Sequence, residues 1–173
     1  MNKESDEHEK NLSQTPAIEK IRSLVKSARV CLFGTAAGGF PLTVRPMGVQ
    51  EVDEAGNLWF LSGCSSDKNK HIARDPRVQL LFANASDSEY LSLQGYATVS
   101  DSRALKEKYW NALAKAWFHG GVDDPELTVI KVQPTGGHYW DTENGKAISL
   151  LKIAVGAVTG KTMDGGLQGS LRP

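Results

Sequence analysis

Cysteine is scarce in this chain. It has two, Cys31 and Cys64, far apart and outside any CxxC or cysteine–histidine spacing, so neither a disulfide framework nor a cysteine-bound metal is indicated. With no apolar signal segment at the N-terminus, that usage fits a reducing cytoplasm. Long apolar runs are missing as well: none approaches the roughly 20 residues that a bilayer-spanning helix needs, so no membrane partner is expected. Charge of one sign is missing too. Twenty basic and twenty acidic side chains cancel, which leaves no whole-molecule field to recruit nucleic acid, and any anion site must be local. No GxGxxG and no Walker loop is present, so a bound phosphate would need another device. No serine lies in a nucleophile elbow, and no cysteine has a neighbouring histidine to activate it.

What is present is a chain of 173 residues, 40% hydrophobic, enough for one domain with its own core. Met1 to Gln14 is polar and the stretch 161–173 is rich in glycine, so both ends are expected to be mobile tails around a single domain over 15–160. Thr15 and Pro16 open a helix with Ile18, Ile21, Leu24 and Val25 on one stripe. Strand signals follow at Arg29 to Gly34, Leu42 to Val49, Leu58 to Ser62, Val78 to Ala83 and Tyr90 to Val99, with turn chemistry between them. A short helix from about Ser66 is expected to end near Asp75, because Pro76 disfavours helical backbone before it. A longer helix is expected from Asp101 to Trp117, with Leu105, Tyr109, Leu113 and Trp117 in register. Two strands, Leu127 to Gln133 and His138 to Trp140, precede an apolar stretch from Ile148 to Val158 that fits strand or helix. The absence of strand–helix–strand alternation points to a mainly β (α+β) fold, an antiparallel barrel with accessory helices.

The chemistry concentrates around "SSDKNKHIARDP". If Leu42 to Val49 and Leu58 to Ser62 form a hairpin with Asp53 opposite Leu58, then Arg45, Met47, Phe60 and Ser62 share a face; a three-residue loop would separate them. Pro46 cannot donate to a ladder, which places it at an edge, a bulge or a ligand-facing break. Ser66 or Asp67 can cap the next helix, whose free amides and dipole favour an anion. Lys68 in the first turn is unfavourable for the helix alone, and an anionic ligand would reverse that sign.

The order Arg45-Pro46-Met47, Phe60-Leu61-Ser62, Ser66, Lys68, "RDPRVQLLF", "LQGYATVSD" and "HYWD" resembles the general stress protein 26 branch of the pyridoxamine 5′-phosphate oxidase-like split-barrel proteins, over about Ile18 to Lys161. The resemblance implies a six-stranded antiparallel split β-barrel of the FMN-binding type. It also implies a homodimer with flavin mononucleotide (FMN), or in some members FAD, between the subunits. It casts Arg45 and Lys68 as the phosphate-binding pair, accompanied by the hydroxyls of Ser62 and Ser66. Pro46, Met47, Phe60 and Leu61 would line the isoalloxazine ring, and Trp140 would reach the flavin from the other subunit. A monophosphate carries nearly two negative charges near neutrality, which two cations and helix amides would balance.

The chain also departs from the vitamin-converting oxidases. Ser66-Asp67-Lys68 replaces their Ser-Arg-Lys, and no arginine follows Trp140 until Arg172. Pyridoxamine phosphate oxidation is therefore disfavoured beside a flavin-dependent oxidoreductase or a non-catalytic flavin carrier or redox sensor. Deazaflavin or haem binding has no supporting residue. His71, one turn after Lys68, could titrate near neutrality but more often such a histidine simply packs. His119 near Asp123 and Asp124 reads as a turn rather than a metal site, and no metal is expected.

Overall fold

The computed structural model describes residues 9–36, 39–142 and 166–173. In chain order these form β1 (Leu12–Ser13), α1 (Gln14–Ala28), β2 (Val30–Thr35), β3 (Thr43–Gly48), β4 (Glu51–Val52), β5 (Leu58–Gly63) and α2 (Asp67–Arg74). They continue with β6 (Arg77–Asn84), β7 (Glu89–Ser100), α3 (Arg103–Tyr109), β8 (Leu127–Thr142) and β9 (Gly166–Arg172). The expected six-stranded antiparallel barrel is corrected here to one open, mixed sheet of nine strands. Six antiparallel strands follow the order β3-β2-β6-β7-β8-β5, while β1 pairs parallel to β9. The long β8 is shared: its first half lies between β5 and β7, its second half between β7 and β9. β3 and β5 approach each other but are not hydrogen-bonded, so the sheet stays split between them.

Alternation builds the core. Val78, Leu80 and Phe82 of β6 and Leu91, Leu93 and Ala97 of β7 turn inward, where α1 lays Ala17, Ile21, Leu24 and Val25 over them. Phe33 and Phe60 meet edge to face at 5.3 Å, tying β2 to β5 across the interior. β8 accommodates its double duty with a bulge at Gln94/Gly95 of its neighbour β7. Glycine is required there, since a Cβ on Gly95 would lie 2.3 Å from the Gln133 carbonyl oxygen.

Further expectations are corrected. The hairpin over Leu42 to Ser62 is broken at Val49–Gln50: Val49 N–H donates to the Arg29 carbonyl on one side and Gln50 N–H to the Trp59 carbonyl on the other. Consequently β3 pairs with β2, and only β4 pairs with β5, with Val52 opposite Leu58. Asp53 N–H closes onto the Asn57 carbonyl around a three-residue loop, with Gly56 at φ +82°. That parity alone would separate Arg45 from Ser62; the break in the strand turns Met47 back against the core, so the two sets share the interior after all.

The helix expected to reach Trp117 stops at Tyr109, because Trp110 is extended and the Asn111 side-chain oxygen Oδ1 accepts from the amides of Leu113 and Ala114, starting a separate 3₁₀ turn. Leu113 and Trp117, expected on a packed stripe, are each 81% exposed. The C-terminal segment also joins the fold: Gly166–Arg172 is β9, and Gly169 lets its backbone pass close to Lys10. The two strands expected over 127–140 are one. The stretch Ile148 to Val158 lies outside the described residues. No described helix is long and apolar enough to cross a membrane.

Candidate functional site

Splitting the sheet between β3 and β5 opens a cleft of about 380 Å³, within the size range of small-molecule sites. Pro46, Met47 and Gly48 form one wall and Leu61, Ser62 and Gly63 the other, with Lys68 at one end. The segment after α3 supplies the mouth through Asn111, Leu113, Ala114, Trp117 and Phe118. Asn111 is fixed there by donating to the Gln50 side chain at 2.7 Å, and a small cluster of Ala114, Phe118 and Leu127 packs Leu61 and Trp110 beneath. Pro46 occupies the edge strand β3, where its missing N–H leaves no ladder bond unmade.

The polar end is built from β5 and α2. Ser66 is the N-cap, its hydroxyl accepting from Asn69 N–H at 3.4 Å. Ser62 Oγ donates to Asn69 Oδ1 at 2.7 Å, Asn69 Nδ2 donates to Thr128 Oγ1 at 2.9 Å, and Thr128 Oγ1 donates to the Ser62 carbonyl at 2.8 Å. This closed ring of buried groups locks the start of α2 onto β5 and β8. Ser62 is therefore committed largely to structure, although Ser66 Oγ lies 3.3 Å away. Glu126 secures the preceding loop by accepting from both Ser65 N–H (3.0 Å) and Ser65 Oγ (2.6 Å), which holds its carboxyl below the ordinary value.

Two cations converge on this end. Lys68 is half-buried, and burial followed by the nearby Arg45 charge lowers its pKa. Burial likewise lowers Arg45, with Asp67 acting in the opposite direction. Among the described residues neither makes an ion pair. Arg45 Nη1 instead donates to Thr35 Oγ1 at 2.9 Å. Asp67, the carboxylate that replaces a cation of the oxidases, accepts from Lys70 Nζ at 3.2 Å and stays exposed, close enough to Arg45 for their charges to interact.

Of the nine residues expected to bind the cofactor, Pro46, Met47, Leu61, Ser62 and Lys68 line the cleft, and Arg45 and Ser66 adjoin its polar end. Phe60 is fully buried beneath, in the core. Trp140 is not brought to the cleft of its own chain. It lies on the opposite, outer face of the sheet with Val30, Leu32, Leu81 and Tyr90, where the register sets Leu32 beside Leu81 and Tyr90 beside Trp140. The sequence reading missed Thr35, Asn69, Thr128, Glu126 and Asn111. Asn69 and Thr128 could have been flagged as polar positions on otherwise buried faces, whereas Thr35 gave no local signal.

Comparison with known proteins bears on the family and the fold. A family profile described as pyridoxamine 5′-phosphate oxidase like matches residues 16–164. The chain is 28% identical over 129 residues to protein bli-3 of Neurospora crassa, covering 69% of this chain and spanning 62% of that protein's length. A crystal structure of a candidate general stress protein 26 from Jannaschia sp. CCS1 superposes with a TM-score of 0.75 at 28% identity, covering 91% of this chain and 98% of the other. The general stress FMN/FAD binding protein of Xanthomonas citri shares the fold, with a TM-score of 0.62 at 23% identity over 72% of this chain and 87% of that one.

Proposed function

Because the chain belongs to the pyridoxamine 5′-phosphate oxidase-like family, we propose that it binds a flavin nucleotide, FMN first and FAD second, in the cleft between β3 and β5. The carrying observation is the pair of half-buried cations, Arg45 and Lys68, held near each other at the start of α2 without an ion-pair partner among the described residues. Like charges brought together in a partly dry site are unfavourable, and a phosphate monoester relieves that cost while accepting hydrogen bonds from both. The binding of FMN/FAD named for the Xanthomonas citri protein supports the same assignment.

The residues present fit the group from end to end. Arg45, Lys68 and Ser66 would hold the phosphate, with Ser62 reinforcing Ser66. Pro46, Met47 and Leu61 offer the apolar wall a tricyclic ring needs, and Phe60 braces that wall from the core. A bound flavin supplies the electron chemistry, and the chain supplies placement and electrostatics. Among the described residues lining the cleft, Lys68 is the sole titratable side chain, so acid–base work by the protein is not called for. This suits an oxidoreductase that relies on the flavin's own reactivity, and equally a flavin carrier or redox sensor; turnover of an acceptor with NADH or NADPH separates the two.

We place a second copy of the chain on the outer sheet face. Val30, Leu32, Leu81, Tyr90 and Trp140 form an apolar surface across β2, β6, β7 and β8 of a kind that isolated proteins rarely leave to water. Such a homodimer would deliver each Trp140 towards the partner's cleft. Arg172, on β9 beside β1, is not among the cleft-lining residues, which argues against the vitamin-oxidase reading. The two cysteines are unpaired, which suits a cytoplasmic protein. Titration of the purified protein with FMN tests the proposal: a yellow complex with flavin absorbance bands is expected, and a colourless protein that takes up no FMN overturns it.

A further inference from the structure

His71 found no place in the site as read from the sequence, yet the fold connects it to the anion end. Thr35, the last residue of β2, is 1% exposed, and its hydroxyl is a three-way junction. Arg45 Nη1 lies 2.9 Å from Thr35 Oγ1, His71 Nδ1 lies 2.9 Å from it, and the Thr43 carbonyl oxygen lies 3.4 Å away. A guanidinium only donates, so the Thr35 oxygen accepts from Arg45 and has one proton of its own to give. The contact to His71 Nδ1 is the shorter, and in the tautomer with the imidazole proton on Nε2 the hydroxyl donates to it. The hydroxyl is thereby oriented with a lone pair facing the guanidinium.

We propose that Thr35 and His71 are positioning residues of the anion site, acting through Arg45. Their contact holds one edge of the guanidinium against the sheet, leaving its other N–H groups for the ligand, and keeps Arg45 near Lys68 despite the repulsion between them. A long side chain fixed before the ligand arrives loses less freedom on binding, so the junction raises affinity without touching the ligand. The assignment rests on the flavin reading above only for the identity of the anion.

The test compares FMN with riboflavin, which lacks the phosphate. Thr35→Val keeps the shape and removes the hydroxyl; it is expected to weaken FMN binding by about tenfold while riboflavin changes by less than about twofold. Thr35→Ser, which restores the hydroxyl, is expected to bind both as the wild type does. His71→Phe, at a half-buried position and without the acceptor nitrogen, is expected to weaken FMN by about threefold and leave riboflavin unchanged. Wild-type FMN affinity in Thr35→Val overturns the proposal, as does an equal loss of FMN and riboflavin, which would make Thr35 merely structural; wild-type FMN affinity in His71→Phe removes His71 from it. Orthophosphate protection against thermal unfolding separates this inference from the flavin reading. A wild type that ignores both flavins but is stabilised by phosphate, less so in Thr35→Val, sinks the flavin and keeps the junction; a wild type that responds to neither sinks both.

Discussion

The cleft and the outer sheet face belong to one sheet and solve opposite problems. In the cleft nearly every polar group is tethered: Ser62, Asn69 and Thr128 close a ring, Glu126 holds Ser65, Asn111 holds Gln50, and Arg45 rests on Thr35. On the outer face Leu32, half exposed at 49%, sits beside Leu81, and Tyr90 beside Trp140, with apolar area as the common feature. The first arrangement is costly to build and selects by charge and geometry. The second needs only shape and area, and suits a large partner such as another copy of the chain. β2 illustrates the division within one strand, since Leu32 faces out to the apolar surface while Thr35 at its end is buried beside the cations.

The largest effect should come from a charge on the flat face. Leu32→Glu leaves the isolated subunit folded, because the position is half exposed. It should raise the dissociation constant of the proposed homodimer at least ~100-fold, since an unpaired carboxylate would have to be buried. Sedimentation equilibrium reads this directly, and a dimer that persists unchanged would show that another surface joins the copies. Loss of bound flavin alongside the dimer would tie Trp140 to the partner's cleft.

Next in size are the two cations. Arg45→Ala and Lys68→Ala should each weaken FMN by about 1–3 kcal/mol in fluorescence titrations while leaving the dimer constant unchanged. Unaltered affinity in both variants would falsify the phosphate assignment. If either variant instead dissociated the dimer, the separation drawn between the two regions would fail.

Ser66→Ala removes the N-cap of α2 and should cost about 1 kcal/mol of stability, seen as a lower midpoint in urea unfolding. The same change on the solvent side of α2, such as Lys70→Ala, should cost much less, because Lys70 meets only the exposed Asp67.

The smallest effect is acid-dependent. Ser65 holds the Glu126 carboxyl below its ordinary value, so this contact contributes fully above the unfolded value of about 4.3 and is lost as pH falls through the lower, folded one. An NMR titration should show the Ser65 amide shift moving with a midpoint below that of a free glutamate, and Glu126→Ala should abolish the movement. None of the five outer-face residues named above is a carboxylic acid, so association through that face should not follow the same curve.

Much of this was legible along the chain because it depends on near neighbours. The spacing in α1, the alternation in β6 and β7, and the boundary of α2 between Ser66 and Pro76 follow from periodicity and capping, and the structure reproduces them within a residue or two. Strand alternation and cap chemistry drew attention to Arg45, Ser62 and Lys68, whereas Pro46, Met47 and Leu61 were named as ring-lining residues through the resemblance to the split-barrel family. The failures share a different cause. Asn111 diverted the helix after Tyr109 by offering its side chain to two backbone amides, a local competition that the apolar stripe concealed. β9 has little apolar content of its own and exists because β8 and β1 offer it backbone partners. Thr35 became important only when β2, β3 and α2 came together around its hydroxyl.

The sequence by itself determined the periodicities, a cap at Ser66 or Asp67, the exclusion of Pro46 from a continuous ladder and the charge types gathered around the start of α2, since these depend on covalent geometry and on residues a few positions apart. Only the tertiary structure decided that the strand would break at Val49–Gln50, that Arg45 would lean on Thr35, itself in contact with His71, and that Trp140 would lie on the far face from its own cleft. Those outcomes depend on which distant strands compete for the same hydrogen bonds and apolar cover, and that competition is settled only when the sheet assembles.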